Sequence, residues 1–264
     1  MKASFRHSTA CLALVASLTV AGISCDDGMM PLSQAPEAAV VVQTIMVDKF
    51  VETAAAPTIL PAYETAAERA AVGKRDAADD FRWEHKEWYA ITAPPEKGRF
   101  RPFGEWEEMS GVWTTYSGGM PGTPTVRRMF AEQTIGFIRH SKPRLKAYVI
   151  VGSKNIQDDF LKAVDQYGIT AEEKSNIIMV GMDNQTIWHI DYGPFPLVDR
   201  KTGAVAFTDY NYYPNRHIDD AIPSRIAMEV YQNITTYRMP FSFEGGNIQS
   251  DGNKLCMTST RALS

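Results

Sequence analysis

Cysteine is almost absent. Only Cys11, Cys25 and Cys256 occur in 264 residues. Two of them lie at the extreme N-terminus, so no even set of thiols remains to build a disulfide framework. Basic charge is not in excess either. The chain has 27 Lys and Arg against 31 Asp and Glu, a formal net charge of −4, which argues against nucleic acid as the main partner because phosphate binding needs a basic surface. The balance is compatible with a cationic substrate without identifying one. No apolar run reaches the roughly 20 residues needed to span a bilayer. Close internal repeats are missing as well.

The longest apolar run, from Cys11 to Ile23, follows Lys2, Arg6 and His7, the layout of a secretory leader. Gly22, Ile23 and Ser24 place small residues ahead of Cys25, as in a bacterial lipoprotein signal, although the usual Leu three residues before the cysteine is missing. Residues 1–25 are therefore expected to direct export to the bacterial cell envelope, with Cys25 the lipidation residue. Residues 26–97, rich in Ala, Pro and Glu, are expected to form a flexible tether. Within it, an apolar stretch at 40–47 is able to pair as a strand or helix.

From residue 98 the pattern tightens. "GVWTTY" (111–116) predicts a strand. "TPTVRRMFAEQTIGFIRH" (123–140) predicts a helix capped by Thr123, with Pro124 in its first turn and Val126, Met129, Phe130, Phe137 and Ile138 on one face. "RLKAYVIVG" predicts a strand, and "NIQDDFLKAVDQYG" a helix that packs through Ile156, Phe160, Leu161 and Val164 and stops at Gly168. "NIIMVGM" predicts a third strand, and the β-α-β-α-β order indicates an α/β fold. Beyond it, "WHIDYGPFPLVD" and "AVAFTDYNYYP" predict short strands around the turn "RKTG". A helix is expected at about 223–233, then the strand-like "YRMPFSFEGGN" and "KLCMTST". This texture suggests recurring ββαβ units.

Two stretches carry candidate chemistry. In "IWHIDYGP", Asp191 is expected to end a strand beside Trp188 and Tyr192, an arrangement suited to a flat cation through charge, planar hydrogen bonds and ring faces. The same aspartate would also serve simply to open a turn. In "FSFEGGN", Glu244 breaks an aromatic alternation, Gly245 and Gly246 permit close backbone approach, and Asn247 offers a donor and an acceptor. A glutamate capping a turn fits these letters equally well.

Four pieces in order, "GEWEEMSGVWTTY", "WHIDYGPFPLVD", "YNYYPNRHIDDAIP" and "FEGGNIQSDGNKLCMTST", together resemble the guanidine-modifying deiminases, the family of agmatine deiminase and Porphyromonas-type peptidyl-arginine deiminase. The resemblance covers about residues 103–260. It implies a five-bladed α/β propeller of ββαβ blades, of which residues 98–264 would be the N-terminal portion, roughly three blades. It implies that Asp191 grips a guanidinium group and that Glu244 orients and polarises a catalytic histidine. Gly245 and Gly246 would shape the turn, and Trp188 and Asn247 would contact substrate. The implied reaction hydrolyses a guanidinium to a ureido group with loss of ammonia, through a thiolate nucleophile and a histidine, with no metal or other cofactor. The implied partner is a cationic guanidinium compound: peptidyl-arginine or arginine outside the inner membrane, or agmatine. No nucleic acid is implied, and no membrane contact beyond a lipid anchor.

The sequence departs from the family pattern in two respects. Ile190, preceded by His189, stands where an arginine is common. The family's HxD histidine and nucleophilic cysteine follow the "EGG" turn, and neither is found before Ser264, so no nucleophile is expected in this chain. Cys256 is expected to be a small buried hydrophobe. His217-Ile218-Asp219 is expected in a loop that Arg216, Asp219 and Asp220 hold through ion pairs, and His85 and His140 are expected to be structural. The sequon Asn233-Ile234-Thr235 carries no meaning in a bacterial lipoprotein. Two other classes of function compete: a non-catalytic guanidinium- or peptide-binding lipoprotein, and a metal-dependent hydrolase in which His189 and Asp191, on one strand face, join His217 and Asp219.

Overall fold

The computed structural model describes residues 42–49, 60–71, 77–116, 124–141, 145–232 and 234–259. The leader, Cys25, the expected cap Thr123 and Asn233 of the sequon lie outside the described residues.

The first half of the fold is a parallel sheet covered on both faces. In chain order come β1 (Gln43–Met46), α1 (Ala66–Ala71), α2 (Ala77–Glu84) with a 3₁₀ turn at Lys86–Tyr89, β2 (Phe100–Pro102), β3 (Gly111–Thr115), α3 (Pro124–His140), β4 (Lys146–Val151), α4 (Lys154–Asp165), α5 (Ala171–Lys174) and β5 (Ile177–Gly181). The strand order is β1-β5-β4-β3, every pair parallel. Apolar runs without polar alternation are what such a doubly covered sheet requires, and every residue of β5 is buried. Ala147, Val149, Val151, Ile177 and Met179 join one core with Phe130, Ile138 and Phe160. Ile150, Ile178 and Val180 join the other with Phe207, Ile222 and Ile226.

Helix α4 forms as expected. The Ser153 hydroxyl accepts from the Ile156 amide, Ile156, Phe160 and Val164 are buried, and Gly168 follows at φ +59°. In α3, Phe130 and Ile138 are buried, but Met129 and Phe137, expected beside them, are exposed. Nine residues at about 100° each put Met129 on the far side from Ile138, and the buried arc instead takes Ala131 and Ile135.

The segment expected to be a tether is partly built into the body. β1 runs parallel to β5, from Gln43 opposite Ile178 to Met46 opposite Gly181. α2 sets Phe81 against His217 with ring centroids 4.9 Å apart. The composition of 26–97 hides this because its anchoring groups are mostly polar and meet partners more than a hundred residues away.

The second half consists of α6 (His189–Tyr192), β6 (Phe195–Asp199), β7 (Val205–Asn211), α7 (His217–Arg225, continued as a π-helical turn Ile226–Val230), β8 (Thr236–Ser242), a 3₁₀ turn at Gly245–Asn247, β9 (Ile248–Ser250) and β10 (Cys256–Thr258). Its sheet has the order β2-β6-β7-β8, antiparallel except for the parallel β7–β8 pair that α7 connects. β9 and β10 form an antiparallel hairpin. Cys256, expected to be buried, is exposed, because β10 pairs only with β9 and is exposed along its whole length.

α7 begins six residues before the expected start, with Pro223 inside it. Its polar first turn conceals it, because Asp219 and Asp220 are buried acceptors rather than loop residues. Asp219 accepts from the Gln185 and Thr186 amides at 2.7 and 3.2 Å and from the Thr186 hydroxyl at 2.6 Å. Asp220 accepts from the Tyr212 amide at 2.6 Å and from Arg238 at 2.8 Å. Of the ion pairs expected to hold this segment, those of Arg216 and Asp220 form, with Glu68 at 2.9 Å and with Arg238, whereas Asp219 is held by amide and hydroxyl donors.

Arg238, 2 % exposed, also bridges to Asp209, whose carboxyl is pushed up to about 7, chiefly by burial. Replacing Arg238 with Met strands two buried carboxylates and is expected to cost about 3–5 kcal/mol, measured by urea denaturation. A folded pKa above the unfolded value makes this carboxyl's contribution grow as pH falls below 7. Arg238 holds this carboxyl down against burial, so in the variant it is pushed up further, and the deficit should be largest at alkaline pH and shrink as pH falls toward 7.

Candidate functional site

Asp191 does not end a strand. It lies in the single helical turn α6, between Trp188 and Gly193 (φ +87°), and is almost wholly buried at 9 % exposure. Its amide donates to the Trp188 carbonyl at 2.9 Å. Ile190, beside it, is exposed.

The "EGG" turn packs directly on this helical turn, although more than fifty residues separate the two. A Cβ on Gly246 would stand 2.7 Å from Asp191 Oδ1. A Cβ on Gly245 would stand 2.1 Å from the Phe195 ring and 2.2 Å from the Ile190 carbonyl. Gly245 is therefore required by contact with backbone, Gly246 leaves room for the Asp191 carboxylate, and neither needs an unusual φ. Glu244 precedes them in extended conformation. Its Oε2 accepts from Asn247 Nδ2 at 2.9 Å, and the Asn247 amide donates to the Glu244 carbonyl at 2.9 Å. Ser259 Oγ donates to Asn247 Oδ1 at 3.0 Å. Asn247, expected to contact substrate, thus has both ends of its side chain engaged in holding Glu244 and the β10 end together.

His189 faces the end of β3. Its Nδ1 is 3.1 Å from Thr115 Oγ1, and the Tyr192 hydroxyl donates to that same oxygen at 2.8 Å. The Trp113 ring lies nearly parallel to His189 at 6.2 Å, and the Tyr192 ring lies edge-on at 5.2 Å. Burial pushes the His189 pKa down to about 4, so the ring is neutral at physiological pH. Burial also holds the Tyr192 phenol well above its ordinary range, keeping it a hydrogen-bond donor.

The metal reading loses its geometry. On a helical turn, residues two apart point about 200° from each other, so neither His189 with Asp191 nor His217 with Asp219 presents a shared face. Among the described residues, no group of three or more His, Cys, Asp or Glu side chains is placed to hold a metal ion. His85 stacks on Trp88 at 4.0 Å.

Several positioning groups were not identifiable from motifs. Thr115 sits at the carboxyl end of a parallel strand, the general place for sites in open α/β sheets, and this was the one available signal. Asp219 clamps the loop entering Trp188 through Thr186, and Leu60 accepts from Trp188 Nε1 at 2.9 Å. Asp219 was expected to hold its own segment but not this loop, and nothing in the local sequence marks Leu60.

The model of the Porphyromonas-type peptidyl-arginine deiminase family matches residues 101–264. The chain belongs to this family. Among solved structures it is similar to the agmatine deiminase of Enterococcus faecalis, with 21 % identity, TM-score 0.50 and coverage of 66 % of this chain and 47 % of that one. It is similar to a provisionally named peptidyl-arginine deiminase, with 19 % identity, TM-score 0.51 and coverage of 63 % and 48 %. It is also similar to the agmatine deiminase of C. jejuni, with 17 % identity, TM-score 0.49 and coverage of 64 % and 49 %. The chain spans about half the length of these structures. No curated protein matches it.

In this deiminase-family chain, Gly245→Ala should be the more damaging glycine substitution, because the Ile190 backbone cannot yield as a side-chain tip can. A loss of about 1–3 kcal/mol or more is expected for it, read as a fall in melting temperature. Gly246→Ala should act mainly by displacing the Asp191 carboxylate. His189 gives a pH test. Its folded pKa lies below the unfolded value, so stability is lost as pH falls below the unfolded pKa of about 6.5. Between pH 7 and pH 5 the wild type should lose about 2 kcal/mol more than His189→Gln, measured by denaturation at both pH values.

Proposed function

We propose that residues 98–264 form the N-terminal part of a deiminase propeller, and that Asp191 and the "EGG" turn build the guanidinium-holding side of its site. One observation carries this reading: the Asp191 carboxylate lies so close to Gly246 that a Cβ there would stand 2.7 Å from Oδ1. A nearly buried carboxylate suits a planar cation, which it receives through charge-assisted, paired hydrogen bonds. Glu244, tied to Asn247, would hold the family's catalytic histidine, and Trp188 would flank the cation. The reaction of the complete site is hydrolysis of a guanidinium to a ureido group with release of ammonia. A thiolate attacks the central carbon, ammonia leaves after protonation by the histidine, and water activated by the same histidine resolves the thiouronium.

The leader-like residues 1–25, with Cys25 as the lipidation residue, support an exported protein and hence peptidyl-arginine or arginine as substrate over the alternative, agmatine. A second reading has one observation in its favour. Cys256 is the only cysteine among the described residues and lies on an exposed hairpin strand. In that reading the protein binds guanidinium compounds without turning them over.

Calorimetric titration of residues 1–264 with agmatine and with an arginyl peptide tests the site. Asp191→Asn should weaken binding on the order of 10- to 100-fold, the worth of a hydrogen bond to a charged group, with the peptide bound more tightly than agmatine. Ammonia release should be undetectable in the same samples. Turnover that disappears in Cys256→Ser would instead make Cys256 the nucleophile.

A further inference from the structure

We infer that residues 60–71 are a strap that positions Trp188, and through it α6 and Asp191, with Glu68 as its latch on the buried Arg216. This segment lies outside the family-matched residues 101–264.

The strap holds itself first. Thr65 Oγ1 accepts from the Glu68 amide at 3.2 Å, and Glu68 Oε2 accepts from the Thr65 amide at 2.7 Å. This reciprocal cap starts α1 and points the same carboxylate at Arg216. Arg216 Nε donates to Glu68 Oε1 at 2.9 Å and one terminal nitrogen donates to Oε2 at 3.3 Å. That nitrogen also donates to the Tyr63 carbonyl at 3.0 Å, and Asn215 Nδ2 donates to the Glu68 carbonyl. Arg216 has no exposed surface, so it cannot exchange Glu68 for water.

At the other end of the strap, the Leu60 carbonyl takes the indole N–H of Trp188. Trp188 immediately precedes α6, and its own carbonyl accepts from the Asp191 amide. Arg216 immediately precedes α7, whose Asp219 holds the Gln185–Thr186 backbone that leads into Trp188. The strap therefore grips the site turn directly at Trp188 and indirectly through α7. Releasing the latch frees the indole and loosens the turn that carries the carboxylate. Glu68 and Leu60 act as positioning groups and contact no reacting atom.

The consequence for ligand binding rests on Asp191 being the guanidinium carboxylate, whereas the strap itself does not. The test uses residues 1–264 labelled with ¹⁵N at tryptophan, the Trp188 indole being assigned by its loss in Trp188→Phe. In the wild type this indole N–H should be protected from solvent exchange. In Glu68→Gln its protection should fall at least about tenfold through local opening. The Trp113 indole, which donates to Tyr231 at 3.2 Å, should be unaffected. Affinity for an arginyl peptide should fall about three- to tenfold in the same variant, a fraction of the worth of one charged hydrogen bond. If Glu68→Gln does not fold, the double variant Leu60→Gly/Pro61→Gly loosens the strap while leaving the Arg216 pair intact, and is judged by the same readouts. Unchanged Trp188 protection overturns the proposal, as does lost protection with unchanged peptide affinity. If the wild type binds no guanidinium compound, the proposed function fails, and selective loss of Trp188 protection still supports the strap.

Discussion

Three guanidinium groups of the chain itself are buried in one region. Arg216, Arg225 and Arg238 have 0, 3 and 2 % of their surface exposed. A buried charge is tolerated only when it is paired and hydrogen-bonded, and this requirement shapes the molecule around α7. Arg238 is answered by Asp209 of β7 and Asp220 of α7. The other two are answered largely from the N-terminal stretch: Arg216 by Glu68, and Arg225 by Asp48 at 2.6 Å. The same stretch supplies aromatic faces, Trp88 beneath Arg225 and Tyr89 beneath Arg238. The compact unit accordingly begins near residue 40, well ahead of the boundary suggested by the change in composition.

The site follows a second constraint, close backbone approach. The 3₁₀ turn Gly245–Asn247 is pressed onto α6 so closely that any side chain at 245 would enter the Phe195 ring or the Ile190 carbonyl. This contact connects the carboxylate side of the site to the last hairpin, since Asn247 joins Glu244 to Ser259. On the opposite side, His189, Thr115 and Tyr192 connect α6 to the carboxyl end of β3. One helical turn thus receives groups from the parallel sheet, from the second sheet and from the N-terminal strap. A turn held from three directions keeps the Asp191 backbone in one place, the kind of preorganisation on which electrostatic recognition depends.

The elements legible from the sequence were those whose stability is local or repetitive. β5 and, after Lys146, β4 are apolar runs because both their faces are covered, and α4 carries its cap, its face and its glycine stop within sixteen residues, from Ser153 to Gly168. The glycines and carboxylates of the two site motifs were also legible, because a charge at 191 and two missing side chains at 245 and 246 are unusual in any strand-like run. Less legible was α6, four residues long, which lacks the length to show a helical period. The start of α7 was hidden because buried Asp219 and Asp220 look like loop residues until their donors are known.

By itself, then, the sequence determined the α/β class, the β-α-β-α-β order, membership in the deiminase family and the identity of the two motifs that meet. Tertiary structure alone decided that they do meet, that Asp191 stands on a helical turn, that Cys256 is exposed, and that much of the expected tether belongs to the fold. The physical reason is common to all four. Periodicity and capping are satisfied by neighbours a few residues away, whereas a buried charge such as Arg216 or a bare backbone such as Gly246 is explained only by a partner that the folded chain brings to it.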